Sequence, residues 1–216
     1  LLAFTNSVLS LLQNYDCTYI AVVFDSPKPT YRHEIYQDYK ANREAMADDM
    51  RSQMNYIREV VGHLGIQQLS KEGLEADDIM ARLARKAAAD GFEVRLVTRD
   101  KDLMQVVGDG VSMLAPEIGG KLIPMGPEEV KGKMGVGPPG IRDLLALMGD
   151  SSDNVPGVPG IGPKTAAKIL AKAGDIDTLL RDPSVVGSPK LQKKIEDNRE
   201  AIILSRDLVT IHDDHD

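Results

Sequence analysis

The 216-residue chain holds one cysteine, Cys17, so it has no internal disulfide. That scarcity fits a reducing compartment and leaves Cys17 as a small, buried or half-buried residue. No apolar run approaches the roughly 20 residues a membrane-spanning helix needs. No signal-peptide pattern is visible, and a start in mid-helix without methionine points to a truncated N-terminus. An excess of positive charge is also missing: 33 acids outnumber 26 Lys and Arg, for a net charge of −7. A nucleic-acid binder is expected to show a basic face. Eight of the acids, however, fall at element boundaries, and setting those aside would turn −7 into +1. If they hold cations, the overall acidity does not exclude DNA or RNA.

Aromatic residues are scarce, with six Tyr and three Phe. Three of the nine lie in YRHEIYQDYKANR (residues 31–43) as Tyr31, Tyr36 and Tyr39, beside Arg32, His33, Lys40 and Arg43. Rings that stack on bases and cations that meet phosphates occur together in nucleic-acid contacts. The competing reading is a solvated helix with its tyrosines packed inward, and His33 alone reads as structural.

The first fifteen residues have a broad apolar face and read as a helix, followed by a buried strand, YIAVVF, ending on Asp25. Met50, Met54, Ile57, Val61 and Leu64 then mark a helix whose methionines fill the core and whose Asp48 and Asp49 complement the helix dipole. GIQQL is a short strand. A second amphipathic helix carries Glu75, Asp77 and Asp78 in its first turn, denser than capping requires; Glu75 and Asp78 share a face while Asp77 points elsewhere. FEVRLVT is a strand that runs into Asp100 and Asp102, and a helix follows from DLMQVVG. Two strand-like pieces flank a turn at 117–120, and Pro127 opens a short helix. The alternation is that of an α/β protein with a central, mostly parallel sheet flanked by helices. In such sheets ligands bind beyond the carboxyl ends of the strands, where Asp25, Asp100 and Asp102 fall.

Asp150 and Asp153 follow the helical run IRDLLALM, and GVPGIG then opens onto Pro163, Lys164 and another helix. Gly157, Gly160 and Gly162 permit positive φ and close backbone approach. Amides around Ile161–Thr165, with Lys164 and Lys168, can meet a phosphate without reading base sequence. The plainer reading is a tight helical joint with glycines for clearance. Lys190, Lys193 and Lys194 read as a solvated face, and the terminal HDDHD as a disordered tail more than a metal cluster.

The nominated carboxylates are Asp25, Glu75, Asp77, Asp78, Asp100, Asp102, Asp150 and Asp153. With no Cys or His among them they suit Mg²⁺, with Mn²⁺ as substitute, and disfavour zinc. Two hard cations can activate water and stabilise a leaving oxygen in phosphodiester hydrolysis.

FDSPKPTYRHEIYQDYKANR, EGLEADDIMARLA, VTRDKDLMQVV and LLALMGDSSDNVPGVPGIGPKTA, in this order, resemble the flap endonuclease family, in its branch of 5′–3′ exonuclease domains of bacterial DNA polymerases I. The resemblance covers essentially the whole chain and implies a PIN-like 5′ nuclease core over residues 1–140, including a helical arch at about 27–50. It implies a helix–three-turn–helix DNA-binding subdomain over 141–216. It implies metal-site roles for the eight carboxylates, and arch residues Lys40 and Arg43 reaching the scissile phosphate. It implies DNA contacts by Tyr31, Arg32, Tyr39, Lys40 and Arg43 and by the hairpin residues Gly157, Gly160, Ile161, Gly162, Lys164, Thr165 and Lys168. Its cofactors are Mg²⁺ and a K⁺ at the hairpin. Its substrates are 5′ flaps, nicks and ends of DNA, with RNA primers, cut without sequence preference by a monomer in the bacterial cytoplasm during replication and repair. The chain departs from the family in two places. An initial strand ending in a further metal-binding Asp is absent, and Arg99 stands where a small residue is usual, able to pair with carboxylates or with phosphate. Those departures keep a noncatalytic DNA-junction-binding module open, a chain that stops before any polymerase sequence keeps a free-standing short 5′ nuclease open, and a phosphatase-like hydrolase is a more remote alternative.

Overall fold

The computed structural model describes residues 1–117 and 121–212, so most of the 117–120 turn and all of HDDHD after His212 lie outside the described residues. The chain begins with α1 (Leu2–Asn14) and β1 (Ala21–Val23), then the five-residue α2 (Tyr31–Ile35), α3 (Asp48–His63) and β2 (Gln67–Leu69). Next come α4 (Ala76–Ala89), β3 (Val94–Val97), β4 (Val111–Pro116), β5 (Leu122–Met125) and α5 (Pro127–Met134). The C-terminal part is helical: α6 (Ile141–Met148), α7 (Pro163–Ala173), α8 (Ile176–Arg181), α9 (Pro189–Asp197) and α10 (Arg199–Val209). The expected α/β class holds.

The single central sheet is corrected. Among the described residues the strands form two small sheets. β1 runs parallel to β2, with Ala21 opposite Gln67, and β3 runs parallel to β4, which pairs antiparallel with β5. No described strand lies between β1 and β3 to carry the ladder across, so each keeps one edge without a strand partner there. Tyr19 and Phe92, just ahead of these strands, meet edge-to-face at 5.6 Å. α4 packs on β1, β3 and β4 and so spans both sheets. Its buried Ala81 and Ala84 have too little bulk to hold the strands away.

Two apolar clusters follow from this division. A small one, centred on Val8, Phe24, Val61 and Ile66, joins α1 and α3 to the β1–β2 sheet. The main core gathers Leu103, Met104 and Met113 with Ile141, Leu144, Leu145 and Leu147 of α6, which is buried almost all round because α7 and α10 both pack on it. Residues 102–106 form a 3₁₀ turn in place of the expected helix. Of the supposed core methionines Met54 packs inward, but Met50 is exposed, and Cys17 is exposed too.

α6 is welded to the loop after it. Gly149 has φ +69° and Gly157 φ +57°, and their backbones cross so closely that a Cβ on Gly149 would stand 2.6 Å from the Val155 carbonyl oxygen. The Asp150–Val155 bridge and the Gly157 N–H, which donates to buried Ser205 Oγ at 2.9 Å, fix the crossing. Gly149→Ala must open this joint as well as occupy an unfavourable φ. Urea denaturation is expected to show a loss of about 1–3 kcal/mol.

Candidate functional site

The strand ends and helix starts bring the nominated acids to one side of the molecule. Asp25, two residues past β1, accepts from the Ala76 N–H at 2.8 Å and so sits at the start of α4. Glu75 and Asp78 form the capping box of that helix, with the Glu75 N–H donating to Asp78 Oδ2 at 3.3 Å. Asp100 follows β3 and accepts from the Asp102 N–H at 2.9 Å. Asp150 and Asp153 come from the loop welded to α6.

In the α4 first turn Glu75 and Asp78 share a side, on Arg32, and Asp77 points elsewhere. Asp77 faces the Asp100 side. Burial pushes its carboxyl up to about 7, against the pull of Arg32 and with help from Asp78, Glu75 and Asp100. Asp102 is also raised well above the usual carboxylate range, first by burial, then by Asp100 and Asp77. Asp78 instead looks into the protein. It takes a two-pronged guanidinium contact from Arg32, at 2.8 Å to each oxygen, and accepts from the His212 N–H at 3.1 Å.

Cations hold the other end of the array. Lys40 Nζ lies 2.8 Å from Glu75 Oε1 and 3.7 Å from Asp153 Oδ2, and Arg43 pairs with Asp153 Oδ1. The Tyr39 hydroxyl stands 3.1 Å from both Glu75 and Asp153 and donates to one at a time. Lys101, a residue the sequence reading passed over inside TRDKD, pairs with Asp150 at 2.9 Å. Although burial opposes it, hydrogen bonds from Ser152 and Lys101 hold the Asp150 carboxyl below its usual range.

Several expected nucleic-acid contacts are corrected. Arg32 is 2% exposed, its guanidinium spent on Asp78, Glu75 and the carbonyls of Leu208 and Thr210. Tyr39 is 4% exposed and offers no ring face for a base. Tyr31 packs edge-to-face on His212, and burial raises its hydroxyl pKa. The arch is not a standing helix. Beyond α2 the segment is turns, laid against the 150–154 loop by the Lys40 N–H on the Asp153 carbonyl at 3.0 Å and by Asn154 Nδ2 on the Asp38 carbonyl at 2.7 Å. Arg99 pairs with no carboxylate among the described residues; its Nε donates to the Pro116 carbonyl.

In the hairpin, Gly160 takes a positive φ of +75°, while Gly162 is extended at φ −93° and opens α7. Ile161 is buried and its N–H donates to Val158, and the Thr165 N–H donates to Gly162, so those two amides are used within the turn. Gly157 is likewise buried at the weld. Lys164 and Lys168 are exposed on α7 as expected. Lys194 is no merely solvated side chain, since its Nζ donates to the Pro159 carbonyl at 2.8 Å.

The acid array fits magnesium in donor chemistry: it is all oxygen, it contains no His or Cys, and burial first, neighbouring carboxylates second, raise Asp77 and Asp102. Among the described residues no three such side chains are already gathered into a cage. Mg²⁺ keeps several waters and tolerates that spacing.

The Asp77 shift has a measurable consequence. Its folded-state value of about 7 stands above the ordinary 3.8, so the protonated form is favoured by the fold and this contribution is lost as pH rises through about 7. Asp77→Asn is expected to gain on the native chain in urea stability between pH 4.5 and 8; an unchanged difference across that range refutes the assignment.

The comparisons with known proteins agree on one family. The description "5′-3′ exonuclease, N-terminal resolvase-like domain" matches residues 1–135, and "5′-3′ exonuclease, C-terminal SAM fold" matches 136–216. The thermostable DNA polymerase I of Thermus filiformis is 41% identical over 211 residues, covering 98% of this chain and 25% of the relative. DNA polymerase I of Pseudomonas aeruginosa is 42% identical over 217 residues, covering 97% and 23%. The chain thus spans about a quarter of the length of these relatives. Among solved structures, T5 5′-exonuclease with bound divalent zinc superposes with a TM-score of 0.81 at 22% identity, covering 97% of this chain and 80% of that one. The catalytic core of Rad2 in complex with DNA substrate superposes at 0.61 with 18% identity, covering 99% and 70%.

Proposed function

We propose a reaction for a chain that belongs to the 5′–3′ exonuclease family: metal-assisted hydrolysis of phosphodiesters at 5′ flaps, nicks and ends of DNA, RNA primers included. One observation carries it. The acid array, the Lys40–Arg43 segment and the hairpin loop are tied together by direct bonds, so a held backbone and a hydrolytic centre share one rigid joint. The metal in a T5 5′-exonuclease structure and the DNA on the Rad2 core support the same reading.

In this reading Asp25, Asp77, Asp100 and Asp102, with Glu75, Asp150 and Asp153, would hold Mg²⁺ directly or through water, and Mn²⁺ would substitute. The bound cations supply an activated water and neutralise charge on the leaving oxygen. Asp78 supports the array from behind by fixing Arg32 and the α4 start. Lys40 and Arg43 can exchange their carboxylate partners for the scissile phosphate, a gain in charge complementarity as the strand enters. Exposed Lys164 and Lys168 at the head of α7 hold the duplex by its backbone, which gives affinity without sequence preference. A K⁺ at the hairpin would bind beside the Pro159 carbonyl that Lys194 contacts at 2.8 Å.

We divide the chain into a nuclease core at 1–140, with the DNA-facing segment at about 27–50, and a DNA-binding part at 141–216, acting as a monomer within the bacterial cytoplasm and as part of a polymerase I. A second reading, a junction-binding module without catalysis, is favoured by the ion-paired state of Glu75, Asp78, Asp150 and Asp153. A labelled 5′-flap duplex distinguishes them. Cleavage is expected with Mg²⁺ and none with chelator, in a chain extended upstream by the strand the resemblance calls for. Tight flap binding without any cutting at millimolar Mg²⁺ supports the module instead.

A further inference from the structure

The eight carboxylates do not meet a cation on equal terms. At one end Lys40 and Arg43 stand against Glu75 and Asp153, with Arg32 on the far oxygen of Glu75 and Tyr39 bonded across the pair. At the other end Asp77, Asp100 and Asp102 form no ion pair with any described residue, and Asp100 makes only local bonds, its N–H donating to the Thr98 hydroxyl and its carboxylate accepting from the Asp102 N–H at 2.9 Å. A divalent ion entering the free chain is therefore drawn to the second end and meets a neutralised first end.

The cations at the closed end are placed to leave. Lys40 and Arg43 line a cavity of about 330 Å³ together with Asp25, Lys28, His33 and Glu75. The Arg43 side chain is half exposed, and Lys40 holds a left-handed backbone at φ +57°, on a turn of no regular structure. His33 helps set the cavity wall: its Nδ1 accepts from the Thr30 N–H at 3.1 Å, which leaves Nε2 as the ring's donor. A phosphodiester in this cavity presents negative charge to the same two side chains. When it takes them, Asp153 loses both of its cations and Glu75 keeps only Arg32, at 3.2 Å on its other oxygen.

We propose that the free chain has one open divalent-cation site, on the Asp77–Asp100–Asp102 side, and a second, on Glu75 and Asp153, that Lys40 and Arg43 keep closed until a nucleic-acid phosphate draws them away. The inference rests on the nuclease reading above and adds an order to it. Phosphate and the second cation bind cooperatively, and by linkage each raises the other's affinity by the same factor. A chain without substrate keeps its hydrolytic centre half assembled.

Mn²⁺ binding, followed by the loss of the free-ion paramagnetic resonance signal, tests this without any turnover. The 216-residue chain is titrated alone and with a 5′-flap duplex carrying a non-hydrolysable methylene-phosphonate at the cleavage position. One ion is expected for the free chain and two with the flap. The Lys40→Gln/Arg43→Gln double variant is expected to bind the second ion without DNA, at least tenfold more tightly than the native chain does. Two equal sites in the native free chain, or a variant that behaves as the native one, overturns the closure while leaving the nuclease reading intact. Absence of Mn²⁺ binding in every state overturns both. The native comparison with and without flap needs no variant to fold.

Discussion

Replacing Asp100 with alanine is expected to lower flap cleavage by more than about 100-fold, beyond the usual effect of removing a group that merely supports a metal ligand. Flap affinity should stay within about threefold in fluorescence anisotropy, because backbone contacts through the hairpin lysines are untouched. The asymmetry follows from position. Asp100 is exposed at the end of β3, and its local bonds are confined to the Thr98 hydroxyl and the Asp102 N–H. Little of the fold depends on it. Its charge is nevertheless among those that hold Asp77 and Asp102 up, so its loss lets both ionise more readily while removing a ligand from the open end. If single-turnover cleavage and affinity fall together, Asp100 holds DNA and not metal.

The second large effect concerns stability. Arg32→Met is expected to cost about 3–5 kcal/mol in urea denaturation, the range for breaking one side of a buried ion pair. The guanidinium serves Asp78 at 2.8 Å twice, Glu75 at 3.2 Å, and the Leu208 and Thr210 carbonyls at 2.8 and 3.0 Å. Its removal strands Asp78, 1% exposed, with one strong partner fewer on each oxygen. Adding Asp78→Asn to that background should restore part of the loss, since the amide carries no charge to bury. The double-mutant cycle then reports the pair itself. A loss below about 1 kcal/mol for Arg32→Met would show that the network is incidental.

The sequence reveals a great deal of this site where chemistry and periodicity coincide. Asp25, Asp100 and Asp102 follow apolar runs that had to be strands, so their place at strand ends was legible. Glu75 and Asp78 three apart had to share a side of α4. What stayed hidden are contacts between parts far apart in the chain. Nothing in YRHEIYQDYKANR distinguishes the arginine that turns inward, Arg32, from the one that stays out, Arg43; that choice depends on carbonyls nearly 180 residues later. Tyr39 reads as a stacking ring until Glu75 and Asp153 are brought to either side of its hydroxyl. Ser205 carries no motif at all, yet it holds Gly157 in place. Helix geometry turns Asp77 away from Glu75 and Asp78, and only the fold shows that this direction leads to Asp100. The split sheet was equally out of reach, because the strand pattern states which residues are extended and leaves open which edges find a partner.

The Arg32 network also sets a timetable for biosynthesis. Residue 32 leaves the ribosome early, whereas residues 208–212, whose backbone groups complete the shell around Arg32 and Asp78, are made some 180 residues later. Contacts of such sequence separation form last and fold slowly. Until that late segment has emerged, Asp78 lacks its backbone partner and Arg32 lacks its carbonyls, so the start of α4 that carries Glu75 and Asp77 rests on its capping box, the Asp25 contact and the Arg32 and Lys40 pairs alone.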